Sequence, residues 1–167
     1  LLHTGSNVKS DPEAADFILK SRIPTFLATW SISRQIEFSM AEVAALTRGN
    51  TSPFVQALRT ASERWWGDGM TYKPGPVCYD VVPVFWAAGE RDAITCIKLD
   101  AIPIELTGTY TRGMMAVHPW KRMHAERVET TSPEYVTLTD ALDAEKLKSL
   151  FIERVFGSMS HKEKRRQ

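Results

Sequence analysis

The first thirty residues have the spacing of a strand, a helix and a second strand. Residues 1–7 are expected to end a strand and enter a Gly-Ser-Asn turn. Asp11-Pro12-Glu13 is typical of a helix start, with a capping acid, a proline at the first helical position and a further acid in the first turn. Residues 23–30 form a short apolar run that indicates a buried strand. This order predicts a βαβ-like unit, and therefore an α/β fold with a largely parallel sheet.

The rest of the chain continues the alternation of helices and strands. Ser39 and Glu42 match a capping box. A helix opened by Ser52-Pro53 ends at Trp65-Trp66, and we expect this pair to anchor it in a core, although indoles could also stack on a base. The remaining predicted elements are a helix at 81–88, strands at 94–99, 102–107, 110–117 and 135–138, and a last helix between Asp143 and Gly157.

Composition argues against several classes of protein. A net charge of +1 gives no global electrostatic reason to bind nucleic acid, and the basic tail at 158–167 is expected to be a solvated end. Cys78 and Cys96 are too few for a disulfide framework and lack metal-ligand spacing, which favours a reduced, cytoplasmic setting. No apolar run has the length of a membrane span, so no membrane association is expected. The 167 residues, 43% of them hydrophobic, suit one domain at 1–157.

One stretch combines chemistry with a helix start. A Pro/Gly-rich loop from Gly75 ends in Tyr79 and Asp80, and an apolar run that predicts a helix follows at once. Asp80 stands where a helix N-cap belongs, because a side-chain oxygen there can accept from the free N–H groups of the first turn. The same carboxylate could instead bind a metal ion. From the residues alone, both interpretations stay open.

Four segments, in order, resemble the inosine-uridine preferring nucleoside hydrolase family. Asn7-Val8-Lys9-Ser10-Asp11-Pro12-Glu13-Ala14-Ala15 is similar to that family's asparagine followed by D-P-E-A-A, and Tyr79-Asp80 falls where the family usually has His-Asp. Residues 104–114 resemble its V-E-x-x-G…T-R-G-x-T segment, and residues 136–155 resemble its closing strand and helix. The resemblance implies the C-terminal part of an open, mostly parallel, mixed sheet with a Rossmann-like core.

The resemblance also implies a reaction, the hydrolysis of the N-glycosidic bond of ribonucleosides to free nucleobase and ribose. A calcium ion, which prefers oxygen ligands, can hold a water and the ribose hydroxyls while lowering the pKa of that water. By resemblance, Asp80 is a calcium ligand, Asn7 hydrogen-bonds the ribose hydroxyls and Tyr79 contacts the leaving base. Read without the resemblance, Asn7 is an ordinary turn residue beside Gly5.

The chain departs from the family pattern at several places. Gly5 stands where the family carries a glutamate that also binds ribose, and Val81 replaces a proline. Tyr79 replaces a histidine that protonates the leaving base; a phenol with a pKa near ~10 is a poor proton donor at neutral pH, although its ring can stack on a purine. The family's N-terminal aspartate cluster, D-x-D-x-x-x-D-D, supplies most calcium ligands and the water-activating base, and nothing in this sequence matches it.

Two functions are consistent with this pattern. In the first, the chain is the C-terminal part of a ribonucleoside hydrolase that is completed by its N-terminal half or by a companion chain, and the full-length protein is expected to be a homo-oligomer. In the second, it is a catalytically degenerate family member that acts as a structural or assembly subunit. Alone, the chain is expected to be inactive and to bind calcium weakly, because one carboxylate cannot make a site of roughly six to eight ligands.

Overall fold

The computed structural model describes residues 5–66, 75–99, 102–117, 127–128 and 136–157. Its helices are α1 (Ser6–Ser10), α2 (Pro12–Lys20), α3 (Trp30–Ser33), α4 (Met40–Thr47), α5 (Pro53–Trp66), α6 (Val81–Ala87) and α7 (Ala144–Phe156). Its strands are β1 (Thr25–Leu27), β2 (Ile94–Leu99), β3 (Arg127–Val128) and β4 (Val136–Leu142). The predicted α/β class is confirmed. The chain divides into a first unit, residues 1–33 and 80–143, and a second unit, residues 34–79 and 144–167.

The first unit contains a mixed sheet in the order β1-β4-β2-β3. β1 runs parallel to β4, with Thr25 opposite Val136 and Leu27 opposite Leu138. β2 runs antiparallel to both β4 and β3. The parallel pairing joins strands that are far apart in the sequence, as an α/β fold requires.

The core of the first unit forms around β4 and β2. Residues 136–139 of β4 are all buried, which is typical of a strand covered on both faces. The buried cluster also contains residues from α2 and from the segment 102–117, and its members are Leu19, Ile97, Leu99, Ile102, Ile104, Met115, Val117, Val136 and Leu138. α6 is attached to the sheet through Trp86, whose ring stacks on Phe26 of β1 with centroids 4.6 Å apart.

The start of α2 follows the sequence prediction. The Asp11 carboxylate accepts from the Ala14 N–H at 3.0 Å, and Pro12 is the first helical residue. The helix buries Asp16 as well as Leu19. Lys20 donates to the Asp16 carboxylate at 2.6 Å, and this hydrogen bond lowers the pKa of Asp16. The buried carboxylate is therefore satisfied by partners within the fold.

Three local predictions are wrong. Residues 102–107 and 110–117 are irregular and share one antiparallel bridge, Ile104 with Met115, instead of forming two strands. The reason is a turn built on Glu105, whose carboxylate accepts from the N–H groups of Thr107 at 2.8 Å and Gly108 at 3.0 Å. The predicted Gly-Ser-Asn turn is instead the start of α1. The tail at 158–167 and the predicted loop at 67–74 lie outside the described residues.

In the second unit α4 contacts α5, and α7 contacts the segment before α4 through Phe151, whose ring centroid lies 5.5 Å from that of Phe38. The predicted capping box is confirmed, because the Ser39 hydroxyl accepts from Glu42 N–H while the Glu42 carboxylate accepts from Ser39 N–H. Leu147 of α7 is fully buried. Trp65 is 65% exposed, so the prediction that both tryptophans anchor α5 is wrong for Trp65. In the described part of the chain, none of the helices is both long and apolar enough to span a bilayer.

Candidate functional site

Asp80 directly precedes α6 and has a helical backbone, with φ −83° and ψ −5°. Its carbonyl oxygen accepts from the Val84 N–H at 3.3 Å, whereas its carboxylate accepts no capping hydrogen bond. The side chain is exposed, while Phe85 and Trp86 of the same helix are buried. The sequence allowed two roles for this carboxylate, helix N-cap and metal ligand. The structure shows no side-chain cap. The exposed carboxylate therefore stands at the start of a helix whose other face is buried.

Tyr79 ends a backbone ribbon in the second unit. The Phe38 N–H donates to the Pro76 carbonyl at 2.9 Å, and the Cys78 N–H donates to the Ile36 carbonyl at 2.8 Å. Tyr79 itself is half-buried. The two hydrogen bonds fix the chain immediately before Tyr79, so its ring is carried by a paired segment and not by a free loop.

Asn7 lies in α1, a five-residue helix that follows Gly5. Its backbone carbonyl accepts from the Asp11 N–H at 3.4 Å. The side chain is exposed, and its amide has both donor and acceptor groups. An amide that can both donate and accept is suited to a pair of neighbouring hydroxyls.

Gly5 has an extended backbone, with φ −68° and ψ 160°, which any residue can adopt. A Cβ at this position would lie 4.0 Å from the Cβ of Trp30, an ordinary van der Waals distance. The backbone at Gly5 can therefore accept a larger residue. The missing carboxylate at this place is a property of the sequence and not of the space around it.

Arg112 is engaged within the fold. Its guanidinium donates to both carboxylate oxygens of Glu13, at 2.7 and 3.0 Å, and to the Leu106 carbonyl at 2.8 Å. The hydrogen bond from Arg112 lowers the pKa of Glu13, and the same bond raises the pKa of Arg112. The guanidinium of Arg112 is therefore engaged by a carboxylate and a carbonyl of the same unit.

The two cysteines are not candidates for a nucleophile. Both thiols are free. Burial raises the pKa of Cys96 to about 12 and also raises the pKa of the half-buried Cys78. A thiol that stays protonated at neutral pH is neither a strong nucleophile nor a good metal ligand.

Comparison with known proteins identifies the family. The model of the family described as inosine-uridine preferring nucleoside hydrolase matches residues 4–149. The chain belongs to this family. Among curated proteins, no significant match is found.

Solved structures of nucleoside hydrolases share the fold. A plant nucleoside hydrolase, the PpNRh1 enzyme, is 20% identical with a TM-score of 0.64, over 90% of this chain and 47% of that chain. A purine-preferring ribonucleoside hydrolase from Gardnerella vaginalis is 16% identical with a TM-score of 0.69, over 92% and 46%. An inosine-guanosine nucleoside hydrolase is 15% identical with a TM-score of 0.62, over 91% and 49%. The chain thus spans about half the length of these relatives.

The described residues do not make a calcium site by themselves. Within the ranges that the structure covers, no three His, Cys, Asp or Glu side chains lie close enough together to hold a metal ion. Calcium takes roughly six to eight oxygen ligands, so Asp80 alone does not fit it.

The structure distributes the three predicted site residues over both units. Asn7 and Asp80 belong to the first unit, while Tyr79, the residue before Asp80, belongs to the second. Sequence reasoning missed the link between Arg112 and Glu13, although both residues lie in segments that resemble the family. The sequence signal that could have suggested this link is an acid in the segment 7–15 together with an arginine in the segment 104–114.

Proposed function

We propose that this chain contributes to a ribonucleoside hydrolase, an enzyme that cleaves the N-glycosidic bond with water and releases a nucleobase and ribose. The single observation that carries the proposal is the Asp80 carboxylate, which is exposed at the start of α6 and not used as a cap. It occurs at the position where the family resemblance expects an acidic ligand. Because this carboxylate does not cap α6, we assign it a role toward a ligand.

Asn7 and Tyr79 have complementary proposed roles. The exposed Asn7 amide would donate to one ribose hydroxyl and accept from its neighbour. The Tyr79 ring would contact the leaving base by stacking, and its hydroxyl would donate one hydrogen bond. Because a phenol holds its proton firmly at neutral pH, Tyr79 would orient the base without serving as its general acid.

We propose that this chain supplies only part of the calcium site. Asp80 would be one ligand among several, and an N-terminal segment with the aspartate cluster, or a companion chain that carries it, would supply the others. The chain alone is therefore proposed to bind calcium weakly and to release no ribose. This part of the proposal rests on the ligand count, because one carboxylate cannot complete a site of roughly six to eight oxygen ligands.

The test is a ribose-release assay with inosine and with uridine in the presence of calcium. It compares the chain alone with the chain supplied with an N-terminal segment that carries the D-x-D-x-x-x-D-D cluster. We expect ribose only from the combined protein, and we expect chelation of calcium to stop it. Turnover by the chain alone would contradict the proposal of an incomplete site.

A catalytically degenerate subunit is the second candidate function. It is favoured by Gly5, which leaves one ribose contact missing, and by Tyr79, which removes the acid. The double variant Gly5→Glu/Tyr79→His separates the two functions, since the Cβ of residue 5 has room beside Trp30. If the combined wild-type protein is inactive and the double variant releases ribose, degeneration is the better account.

A further inference from the structure

α1 carries Asn7 but has little of its own to hold it in place. It is five residues long, has no side-chain cap and contains no buried residue. Two backbone hydrogen bonds join α1 to its flanking residues, from Lys9 N–H to the Gly5 carbonyl at 3.2 Å and from Asp11 N–H to the Asn7 carbonyl at 3.4 Å. A helix this short is not stable in water without tertiary contacts. Its position must therefore be set by the segments that touch it.

Gly113 makes one of these contacts directly against the backbone of α1. A Cβ built on Gly113 would lie 3.3 Å from the Cα of Lys9 and 3.6 Å from the Cγ of Pro12. Gly113 also has φ +83°, a conformation that residues with a Cβ adopt only with strain. The positive φ favours glycine, and a methyl group at this position would be tight against the backbone of Lys9. The turn at 105–113 therefore lies close against α1.

Arg112 makes a second attachment one residue away. Its planar guanidinium grips both oxygens of Glu13 in the first turn of α2, a geometry that fixes orientation as well as distance. The same group also holds the Leu106 carbonyl of its own turn. The same turn thus contacts α1, which carries Asn7, and forms an ion pair with α2.

The turn itself is fixed to the core. The Gly113 N–H donates to the Glu105 carbonyl at 2.6 Å, and the Met114 N–H donates to the Thr111 carbonyl at 2.8 Å. On either side of the turn, Ile104 and Met115 are buried in the main cluster. The turn that contacts α1 is therefore anchored in the hydrophobic core at both of its ends.

We propose that Arg112 and Gly113 are positioning residues that fix α1, and with it the Asn7 amide, against the Glu105–Gly113 turn. The structural part of this proposal stands on the contacts alone. Its consequence for ribose binding rests on the proposed function. Neither residue touches substrate in this scheme; both act through α1.

The first test measures amide hydrogen exchange in the intact protein. Gly113→Ala adds a Cβ that contacts Lys9. Arg112→Gln removes the two hydrogen bonds from the guanidinium to the Glu13 carboxylate. We expect both variants to raise exchange several-fold at the Lys9 and Asp11 amides, with the amides of β2 and β4 unchanged. The swapped pair Glu13→Arg/Arg112→Glu restores a charge pair and should recover part of the protection.

Matched controls separate positioning from general strain. Gly89 has φ +85°, nearly the value at Gly113, but nothing lies within 4 Å of a Cβ built there. Gly89→Ala therefore introduces the same backbone strain without the contact to α1. Arg59, paired with Glu63 at 2.7 Å on α5, gives the control Arg59→Gln. Unchanged exchange in Gly113→Ala, or an equal rise at α1 in Gly89→Ala, would overturn the proposal.

A second test connects the turn to substrate binding. In the combined, active protein, Arg112→Gln is expected to raise KM for nucleosides several-fold with a smaller change in kcat, and Arg112→Lys should restore only part of the loss. A fall in kcat with unchanged KM would refute the positioning role. If the wild type releases no ribose but α1 exchange responds as expected, the proposed function fails and the positioning of α1 stands.

Discussion

Two helices in the first unit begin after an aspartate, and the two aspartates behave differently. Asp11 precedes α2 and accepts from the Ala14 N–H at 3.0 Å. Asp80 precedes α6 and makes no side-chain cap. Both carboxylates are exposed, and both stand beside a buried helical face. In the sequence, each aspartate stands where a helix N-cap belongs.

The backbone explains the difference. Asp11 has φ −144° and ψ 81°, outside the helical region, as a residue needs to be when its side chain turns back onto the first turn. Asp80 has φ −83° and ψ −5° and already belongs to the helical path. The Asp11 side chain therefore stabilises its helix, whereas the Asp80 carboxylate does not cap α6. The comparison distinguishes a structural aspartate from a candidate ligand.

The largest expected effect is on catalysis. In the combined protein, Asp80→Ala should lower ribose release by at least about 100-fold, the loss that even an outer partner of a metal ligand can cause. Asp11→Ala should leave the rate per folded molecule nearly unchanged. Steady-state kinetics on both variants would check this. Equal rates for Asp80→Ala and wild type would remove Asp80 from the site.

The next effect is on stability, and here Asp11 is expected to matter more than Asp80. Asp11→Ala should lower the free energy of unfolding by about 1 kcal/mol, the usual value of a helix N-cap. In a chain of this size that corresponds to a fall in Tm of about 2–4 °C. Asp80→Ala should change Tm by much less, because no cap is lost. Urea unfolding of both variants measures the contrast, and an equal loss in the two would show that Asp80 also caps its helix.

Sequence reasoning succeeded where a local signal decides the structure. The capping acid at Asp11, the box at Ser39 and Glu42 and the strand at 94–99 each depend on a few neighbouring residues. It failed at residues 102–117, because alternating apolar residues also suit a turn whose backbone donors are satisfied by the Glu105 carboxylate. No periodicity reveals that a side chain will take the place of a strand partner.

For the candidate site, the sequence supports a prediction of residues but not of their surroundings. The family resemblance pointed to Asn7, Tyr79 and Asp80. It did not reveal that Asn7 lies on a short helix, or that this helix rests against Gly113. Such contacts join residues about a hundred positions apart, and a single sequence carries no record of them. The positive φ at Gly113 is likewise a property of the folded chain.

The smallest effect extends the comparison to a third helix start, that of α4. Hydrogen bonds from the Ser39 N–H and from Lys148 lower the pKa of Glu42 from 4.5 to about 2. Because the folded-state pKa lies below the ordinary value, this stabilisation is complete above pH ~4.5 and is lost as the pH falls toward ~2.

Glu42→Gln should therefore flatten the acid-side decline of the free energy of unfolding. The variant is expected to lose about 1 kcal/mol or less of the free energy of unfolding at neutral pH. The loss is small because Glu42 is half-exposed and solvent screens its ion pair. Unfolding measured across that pH range, with Asp80→Asn as the control, tests it. A decline that is equally steep in Glu42→Gln would assign the acid sensitivity to other carboxylates, and a flattened decline in Asp80→Asn would mean that its carboxylate has a partner in the folded state.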